Sequence, residues 1–574
     1  MSSSFSSGPR ASRALEARGT RAVHKTMTRT FDPIELELLW RRLISMVDEA
    51  AAAMVRTSFS TLVRESYDFS CVITDQDGQS LVQASESIPS FIGTLPETVK
   101  HFLRFFPPDK LEPGDVLITN DIWLGTGHLP DITLAKPIFK KGKLIAFSAT
   151  TAHAPDIGGK IRSPEPREVF EEGLQIPPMK FIAAGRTDET LVAIIRKNVR
   201  TPDQTMGDLY AQIVALDVME DRLRALMANY GLDDITDLAR EIQGRCETAM
   251  RAAIRELPDG TYRSELQTDG IMETPITMKL ELTIKGDEIS MDFAGTDRQV
   301  DRAINCALCY TAAMAMYGVK VCTSPNLPNN EGAFRAISLS APEGCIVNPV
   351  FPAPGGSRML IGHYVPMLVF GCLGQIVPER VMAACGSPMW GMNQSGVRDD
   401  GQNGGKGVAK PYANMFFYNG GMGGNTQRDG VTCLSWPSNV SSTSIEISEH
   451  IAPLRFHHKK LRPDSGGPGK QRGGLGQEIL IESRSESPIA VSFLAERTIF
   501  PAFGIEGGQD GAPGELHING VKTDPKKQYV LQKGDTVSLG TPGGGGHGDP
   551  KQRSDAVLAA DVAAGYVTDR AAYR

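Results

Sequence analysis

Cysteine is scarce in this chain: nine residues among 574, scattered and odd in number. Few, unpatterned cysteines exclude a disulfide framework and favour a reducing compartment, so we expect a cytoplasmic protein. Cys306 and Cys309 form a single C-x-x-C without a second pair nearby to complete a zinc site. The surrounding segment has the pattern of a buried helix, which favours buried thiols over a redox or metal role.

Long apolar runs are also missing, since no stretch reaches the ~18 residues that a membrane-spanning helix needs. The nearest candidate, "YVPMLVFGCLGQIV", is interrupted by Pro366. Nor is there an excess of positive charge: 67 acidic residues against 60 Lys and Arg give a net charge of -7. The sequence therefore predicts neither nucleic acid nor a membrane as a partner.

Three common motifs are absent: the P-loop, the strand–G-x-G-x-x-G–helix unit of dinucleotide sites, and the G-x-S-x-G of serine hydrolases. Glycine, in contrast, is abundant at 59 residues and is concentrated in runs such as 464–478 and 540–553. Two interpretations of these glycine-rich loops stay open. They are either tight turns with positive φ, or loops that contact a substrate or a partner.

Helical and strand patterns follow one another without regular βαβ alternation. This predicts an α+β fold, mixed and multi-layered, with glycine-rich loops and a β-rich C-terminal part. We expect a disordered N-terminal extension over residues 1–30, followed by three regions. Residues 31–183 are an α+β region that holds a metal site, residues 184–340 are a region of helices and strands, and residues 341–574 are a glycine-rich region that contains strands.

Several local signals predict individual elements. Asp32 and Pro33 are a helix N-cap and first-turn proline for a helix over residues 32–56. Asp77-Gly78 between apolar runs predicts one hairpin, and a turn at residues 141–143 predicts a second. Further predictions are a helix over 302–322, strand pairs at 476–496 and 527–544, and a closing helix from Asp555.

Two of the ten histidines occur in the same H-x-x-D pattern, His128 with Asp131 and His153 with Asp156. The first pair enters one strand of the second hairpin and the other leaves its partner strand, so antiparallel pairing would bring them together. Imidazole and carboxylate suit Zn²⁺, Mn²⁺ or Fe²⁺. Asp68 is a candidate fourth ligand, and Asp156 a candidate for orienting His153. Histidines that cap turns are the alternative interpretation.

A family resemblance covers the chain from about residue 30 to its end. Six stretches, in order, are similar to the hydantoinase B/oxoprolinase family, which includes subunits of N-methylhydantoinases, 5-oxoprolinase and ketone carboxylases. These stretches are "NDIWLGTGHLPDITLAKPIF", "HAPDIGG", "EEGLQIPPMK", "KNVRTPDQTMGDLYAQI", "RPDSGGPGKQRGGLG" and "TPGGGGHGDPKQR".

The resemblance implies a divalent metal, Zn or Mn or Fe, on His128, Asp131 and His153, with Asp68 as a further ligand. We expect His153 and Asp156 to act in catalysis, Asp156 by orienting His153. Glu172, Asn198 and Arg200 lie in family motifs and are pocket candidates without assigned roles.

The resemblance also implies a hetero-oligomer with a hydantoinase A-type subunit that uses ATP to activate a small-molecule substrate. The implied activity is hydrolysis of a cyclic amide or imide, of the N-methylhydantoinase or 5-oxoprolinase type. The alternative is a subunit of an ATP-dependent acetone or acetophenone carboxylase.

Overall fold

The computed structural model describes residues 29–272, 274–399 and 409–574. The predicted N-terminal extension lies outside the described residues, apart from its last two. The α-helices within the described part are α1 Pro33–Thr57, α2 Thr61–Arg64, α3 Thr94–Phe105, α4 Glu189–Asn198, α5 Pro202–Asn229, α6 Thr236–Arg255, α7 Leu308–Thr323, α8 Met359–Gly362, α9 Val365–Leu373, α10 Ile445–Ile451 and α11 Asp555–Ala563. Short 3-10 turns occur at Pro89–Phe91, Pro108–Lys110, Val169–Glu171, Glu331–Phe334, Pro378–Arg380 and Pro550–Gln552.

A seven-stranded antiparallel sheet carries the N-terminal half of the fold, in the order β2-β1-β5-β4-β3-β6-β7. Its strands are β1 Phe69–Asp75, β2 Ser80–Gln83, β3 Val116–Thr119, β4 Asp131–Lys140, β5 Lys143–His153, β6 Met179–Ala183 and β7 Arg186–Thr187. Both predicted hairpins are present, as β1–β2 and as β4–β5.

Helices cover both faces of this first sheet. Helices α1 and α5 pack on one face in a core that includes Leu39, Met54 and Leu216. Helix α3 packs on the other face through Val99 and Phe102. Helix α1 begins as predicted, because the Asp32 side chain accepts hydrogen bonds from the first free backbone N–H groups.

The middle of the chain adds a second sheet, in the order β11-β10-β9-β8. Its strands are β8 Gly260–Ile271, β9 Thr274–Lys285, β10 Glu288–Asp292 and β11 Ile337–Ser340. The apolar helices α7 and α9 pack against it. The helix predicted from residue 302 begins later, at Leu308, because the Asn305 amide binds the carbonyls of Val300, Arg302 and Pro354 and holds that segment as a loop.

The C-terminal strands form two further sheets, which corrects the predicted strand pairs. The strands are β12 Trp390–Asp399, β13 Ala409–Tyr418, β14 Leu454–Leu461, β15 Gln477–Ser483, β16 Ile489–Leu494, β17 Glu515–Ile518, β18 Val521–Lys522, β19 Gln528–Leu531 and β20 Thr536–Gly540. Their orders are β13-β12-β16-β19 and β14-β15-β20-β17-β18.

Strands β15 and β16 therefore lie in different sheets, as do β19 and β20, although each pair is adjacent in sequence. Both sheets contribute apolar side chains to a shared core, including Ile479 and Val537 from one sheet and Phe493 from the other. Splitting each predicted pair between two layers buries an apolar face of both sheets.

The glycine-rich runs pack against each other through their backbones. Gly467 N–H donates to the Gly544 carbonyl, and Gly544 N–H donates to the Gly474 carbonyl. A Cβ on Gly544 would lie 1.9 Å from the Met422 carbonyl oxygen. Within 464–478 and 540–553, Gly548 is the one glycine with left-handed backbone, at φ 73°. Close backbone packing, rather than positive φ, accounts for these glycines.

These layers confirm the predicted α+β class without regular βαβ alternation. None of the helices within the described ranges is both long enough and apolar enough to span a membrane.

Candidate metal centre

The β4–β5 hairpin sets the position of two candidate ligands. Asp131 is the first residue of β4, His153 is the last residue of β5, and the two are directly paired across the strands. His128 lies on the loop that enters β4. The Asn120 side chain holds this loop by donating to the carbonyl of Leu129 at 2.8 Å. Antiparallel pairing therefore brings the two H-x-x-D motifs together.

The three side chains converge on one carboxylate oxygen. Asp131 Oδ1 lies 2.7 Å from His128 Nε2 and 2.9 Å from His153 Nδ1. The two imidazole ring centroids are 5.0 Å apart. One ligand atom from each of the three residues lies within 4.8 Å of the others, and all three residues are buried. Two nitrogens and one oxygen in this space are a donor set that Zn²⁺ or Mn²⁺ accepts.

The hydrogen bonding of His128 tests whether these residues fit a cation. Its Nδ1 is 3.1 Å from the Gly356 carbonyl, which can only accept, so Nδ1 carries the proton. The unprotonated Nε2 then faces the Asp131 carboxylate, and it is buried without a hydrogen-bond partner among the described residues. A divalent ion bound by both atoms would relieve the repulsion between this lone pair and the carboxylate oxygen, so the residues fit such an ion.

The charge states also favour metal binding. Burial, assisted by the Arg358 charge, holds the pKa of His128 well below its usual range, so the ring is neutral and can act as a ligand. Burial by itself would raise the pKa of Asp131, but the His128 and Arg358 side chains hold it well below its usual range. The cluster therefore offers a neutral imidazole on His128 and an ionised carboxylate on Asp131 at neutral pH.

Arg358 holds the second oxygen of Asp131. Its Nη2 is 2.7 Å from Asp131 Oδ2, and its guanidinium stacks over the Tyr310 ring at 4.1 Å. Thr126 donates to the same oxygen at 2.9 Å. Gly127 allows this arrangement, because its φ is 100° and a Cβ there would lie 3.0 Å from Arg358 Cδ.

The Gly356 peptide links the cluster to the neighbouring groups. Its carbonyl accepts from His128 Nδ1 and, at 2.7 Å, from Arg162 Nε. Its N–H donates to Glu172 Oε1 at 2.6 Å, and the Gly355 N–H donates to the other Glu172 oxygen at 3.3 Å. Burial, which outweighs these hydrogen bonds, raises the pKa of Glu172 to about 7.

Two cavities meet at the cluster, and His153 and Arg162 line both of them. One is lined by the cluster itself together with Tyr310 and Arg358. The other is a cleft whose walls include Glu172 and Asn393. A small molecule in the cleft would therefore be adjacent to His153 and Arg162.

The remaining predicted residues are placed differently. Asp68 lies beside the three-residue cluster and lines the cavity that also contains Tyr310 and Arg358 in its wall. Its Oδ2 is 3.9 Å from His153 Nδ1. The Asp156 carboxylate is bound by Arg200, at 2.7 Å, whereas His153 Nδ1 hydrogen-bonds Asp131. Asn198 is exposed and caps its own helix by donating to the Ile194 carbonyl. Of the three pocket candidates, Glu172 lines the cleft.

Sequence reasoning missed Arg162, Gly356 and Arg358. A signal for the last was present: in "PAPGGSRMLIGHYVPMLVF" an isolated arginine precedes a strongly apolar run, and buried arginines are rarely unpaired. The local sequence around Arg162 does not predict its place at the cluster, because only the tertiary fold brings it there.

Comparison with known proteins places the chain in a family. The family model described as hydantoinase B/oxoprolinase matches residues 32–550. The chain belongs to the hydantoinase B/oxoprolinase family. Among the family's members, a putative D-/L-hydantoinase subunit of Pseudomonas sp. strain NS671 is 31% identical over 570 residues, covering 95% of this chain and 94% of that protein.

Two solved structures are similar to this hydantoinase B/oxoprolinase family member. The ATP-dependent caprolactamase of Pseudomonas jessenii superposes with a TM-score of 0.81 at 28% identity, covering 94% of this chain and 95% of that one. Nucleotide-free acetone carboxylase gives a TM-score of 0.84 at 20% identity, covering 94% of this chain and 79% of that one. The second likeness shows a shared fold.

Proposed function

We propose that this chain is the metal-dependent catalytic subunit of an ATP-dependent hydrolase for cyclic amides or imides. The convergence of His128, Asp131 and His153 beside a cleft is the observation that carries the proposal. The likeness to a caprolactamase over almost the full length of both chains supports an amide as substrate.

In this proposal His128, Asp131 and His153 hold a divalent ion, and Asp68 is close enough to join them after a small side-chain movement. Such an ion supplies Lewis-acid activation of water or of a carbonyl oxygen. The surrounding chain fixes the ligands: the Gly356 carbonyl selects the tautomer of His128, and Arg358 keeps Asp131 ionised. Both contacts preorganise the site before substrate arrives.

The cleft would position the substrate next to this cluster. Pro130, Ile157 and Met415 supply apolar surface for a ring, while Arg162 and Asn393 supply hydrogen-bond donors. A mostly apolar wall with a few polar groups is typical of small-molecule sites. A bound ring would displace water from the cleft, and the loss of water would strengthen polar contacts to the reacting amide.

A partner completes the proposed enzyme. The hydantoinase relative is itself named as a subunit, and the caprolactamase is named as ATP-dependent. In this chain the N–H groups of Gly467 and Gly544 already donate to backbone carbonyls, so these two groups in the glycine-rich loops are not free to bind an anion. We therefore assign ATP use to an A-type partner and expect the isolated chain not to bind ATP in calorimetry.

The test is a reconstituted complex of this chain with its A-type partner. Product and phosphate release would be measured with hydantoins, 5-oxoproline and lactams, and with small ketones plus bicarbonate. ATP-dependent ring opening of a cyclic amide is the expected result. Turnover of ketones with bicarbonate, and of no amide, would reassign the chain to a carboxylase. Micromolar ATP binding by the isolated chain would overturn the assignment of ATP use to the partner subunit.

A further inference from the structure

The two Nη groups of Arg162 lack strong acceptors. Its Nε donates to the Gly356 carbonyl at 2.7 Å, but within the described ranges Nη1 has only the Met415 sulfur at 3.0 Å and a long contact to His153 Nε2 at 3.5 Å, and Nη2 has only the Met359 sulfur at 3.7 Å. Thioether sulfur is a weak acceptor. Among the described residues no carboxylate forms an ion pair with Arg162. Asp131 and Asp68 attract its charge electrostatically but are not hydrogen-bonded to it.

Asn393 is a second donor without an acceptor at the same place. On strand β12 it is directly paired with Met415 on one side and Ser492 on the other, so the three side chains share one face of the sheet. Both neighbours contact Arg162, through the Met415 sulfur and through a hydrogen bond from Ser492 Oγ to the Arg162 carbonyl. Asn393 is 4% exposed.

Asn393 Nδ2 is buried without a partner in the described structure, and Asn393 lines the same cleft as Arg162. Buried polar groups are normally hydrogen-bonded, and buried charges are normally paired. In the described structure the two Glu172 oxygens accept from Gly355 and Gly356, and neither is hydrogen-bonded to Arg162 or Asn393. A charged guanidinium whose two Nη groups have only weak acceptors among the described residues, beside a buried amide N–H without one, marks a site for an anion.

We propose that Arg162 and Asn393 form a phosphoryl-binding subsite that holds the phosphate of an ATP-activated substrate beside the metal cluster. This inference rests on the proposed function for the identity of that substrate. The two Nη groups of Arg162 and Nδ2 of Asn393 provide donors for separate phosphoryl oxygens, a match to the several terminal oxygens of a phosphate group. Arg162 Nη1 also lies 3.5 Å from His153 Nε2, which places the phosphate next to a metal ligand.

The experiment titrates inorganic phosphate and, separately, acetate into the chelator-treated chain by calorimetry. Without metal, any phosphate affinity reflects protein donors. We expect wild type to bind phosphate more tightly than acetate. Arg162→Met should weaken phosphate binding about 10- to 100-fold, the loss expected for hydrogen bonds to a charged group.

Asn393→Asp is a second variant of nearly the same shape. It replaces the donor with a carboxylate that repels phosphate, so we expect a loss of binding similar to that of Arg162→Met. Lys160→Met is the matched control: Lys160 lines the same cleft but pairs with Glu171 at 2.9 Å, and its removal should leave phosphate affinity within about twofold. Zinc binding, measured for each variant, should be retained, which shows that the cluster is intact.

Phosphate binding that is unaffected by both Arg162→Met and Asn393→Asp would overturn the subsite. So would Arg162-dependent binding of acetate without phosphate, which would make the cleft a carboxylate site. If the subsite is confirmed while the complex opens no cyclic amide, the proposed function fails and the phosphoryl subsite stands. If the complex opens amides while phosphate binding does not depend on Arg162, the proposed function stands and the phosphoryl subsite fails.

Discussion

Asp131 and His153 are paired residues at the open end of the β4–β5 hairpin, with Asp131 Oδ1 2.9 Å from His153 Nδ1. Because directly paired residues point to the same face of a sheet, the hairpin register alone places these two candidate ligands side by side. A shift of the register by one residue would turn one of them to the opposite face. The strand register of the hairpin thus determines how these two side chains lie relative to each other.

Replacing His153 by alanine should abolish product formation by the reconstituted complex. The change removes one of the three proposed metal ligands, and the carboxylate of Asp131 loses its 2.9 Å contact. ATP hydrolysis by the partner should continue, uncoupled from ring opening. The measurement is product and phosphate release side by side. His457→Ala is the control, since His457 is a partly exposed histidine on β14 that pairs with Glu482. Normal turnover by His153→Ala would remove the metal mechanism.

Zinc or manganese should stabilise the chelator-treated chain against heating. An ion that binds the folded state at 100 times its dissociation constant adds about 2.7 kcal/mol. In His128→Ala this stabilisation should be largely lost, because the buried Nε2 that faces Asp131 is gone. Differential scanning calorimetry with and without metal checks this, again with His457→Ala as control. An equal rise in Tm for wild type and His128→Ala would place the ion elsewhere.

The stability of the protein should depend on pH through Glu172. Burial raises its pKa from 4.5 to about 7, so between these values the folded state holds a proton that the unfolded state releases. The stabilisation is therefore complete below about pH 4.5 and is lost as the pH rises through about 7. The change is on the order of 3 kcal/mol, since one pKa unit is about 1.4 kcal/mol.

Glu172→Gln isolates this contribution, because the amide keeps an acceptor for the Gly356 N–H and does not ionise. Relative to wild type, the variant should gain stability between pH 5 and pH 8. Denaturation by urea across this range gives the difference. A constant difference at all pH values would mean that Glu172 titrates near its usual pKa.

The ion pair between Asp156 and Arg200 should support the cleft indirectly. Asp156 lines the cleft and is held by Arg200 at 2.7 Å, so Asp156→Asn should lower activity less than His153→Ala does. Arg200→Met should have a similar effect, and the double variant should be no worse than either single one. Additive losses in kcat/KM would instead give the two side chains independent roles.

The glycine packing should be intolerant of even one methyl group. In Gly544→Ala the added Cβ would lie 1.9 Å from the Met422 carbonyl oxygen, so we expect loss of soluble, folded protein. Gly244→Ala is the control: its Cβ meets nothing within 4 Å in helix α6, and alanine there should add about 0.5–1 kcal/mol. Expression yield and Tm of both variants provide the measurement.

The sequence by itself determined the features that depend on neighbouring residues. Asp32 and Pro33 fix the start of α1, and Asp77-Gly78 and Lys141-Gly142 fix the hairpin turns. Since one hairpin joins the two H-x-x-D motifs, the meeting of Asp131 with His153 also follows from local pattern. The class of ligand followed from residue type, because imidazole and carboxylate are metal donors wherever they converge.

Only the tertiary structure decided what comes from distant segments. Arg358 reaches Asp131 from 227 positions away, and Gly356 reaches His128 from 228 positions away. Likewise, the splitting of β15 from β16 depends on which layers bury each other's apolar faces. Local periodicity predicts that a strand forms, but its partner is chosen by packing of the whole fold, because each strand gains stability from the surface it covers.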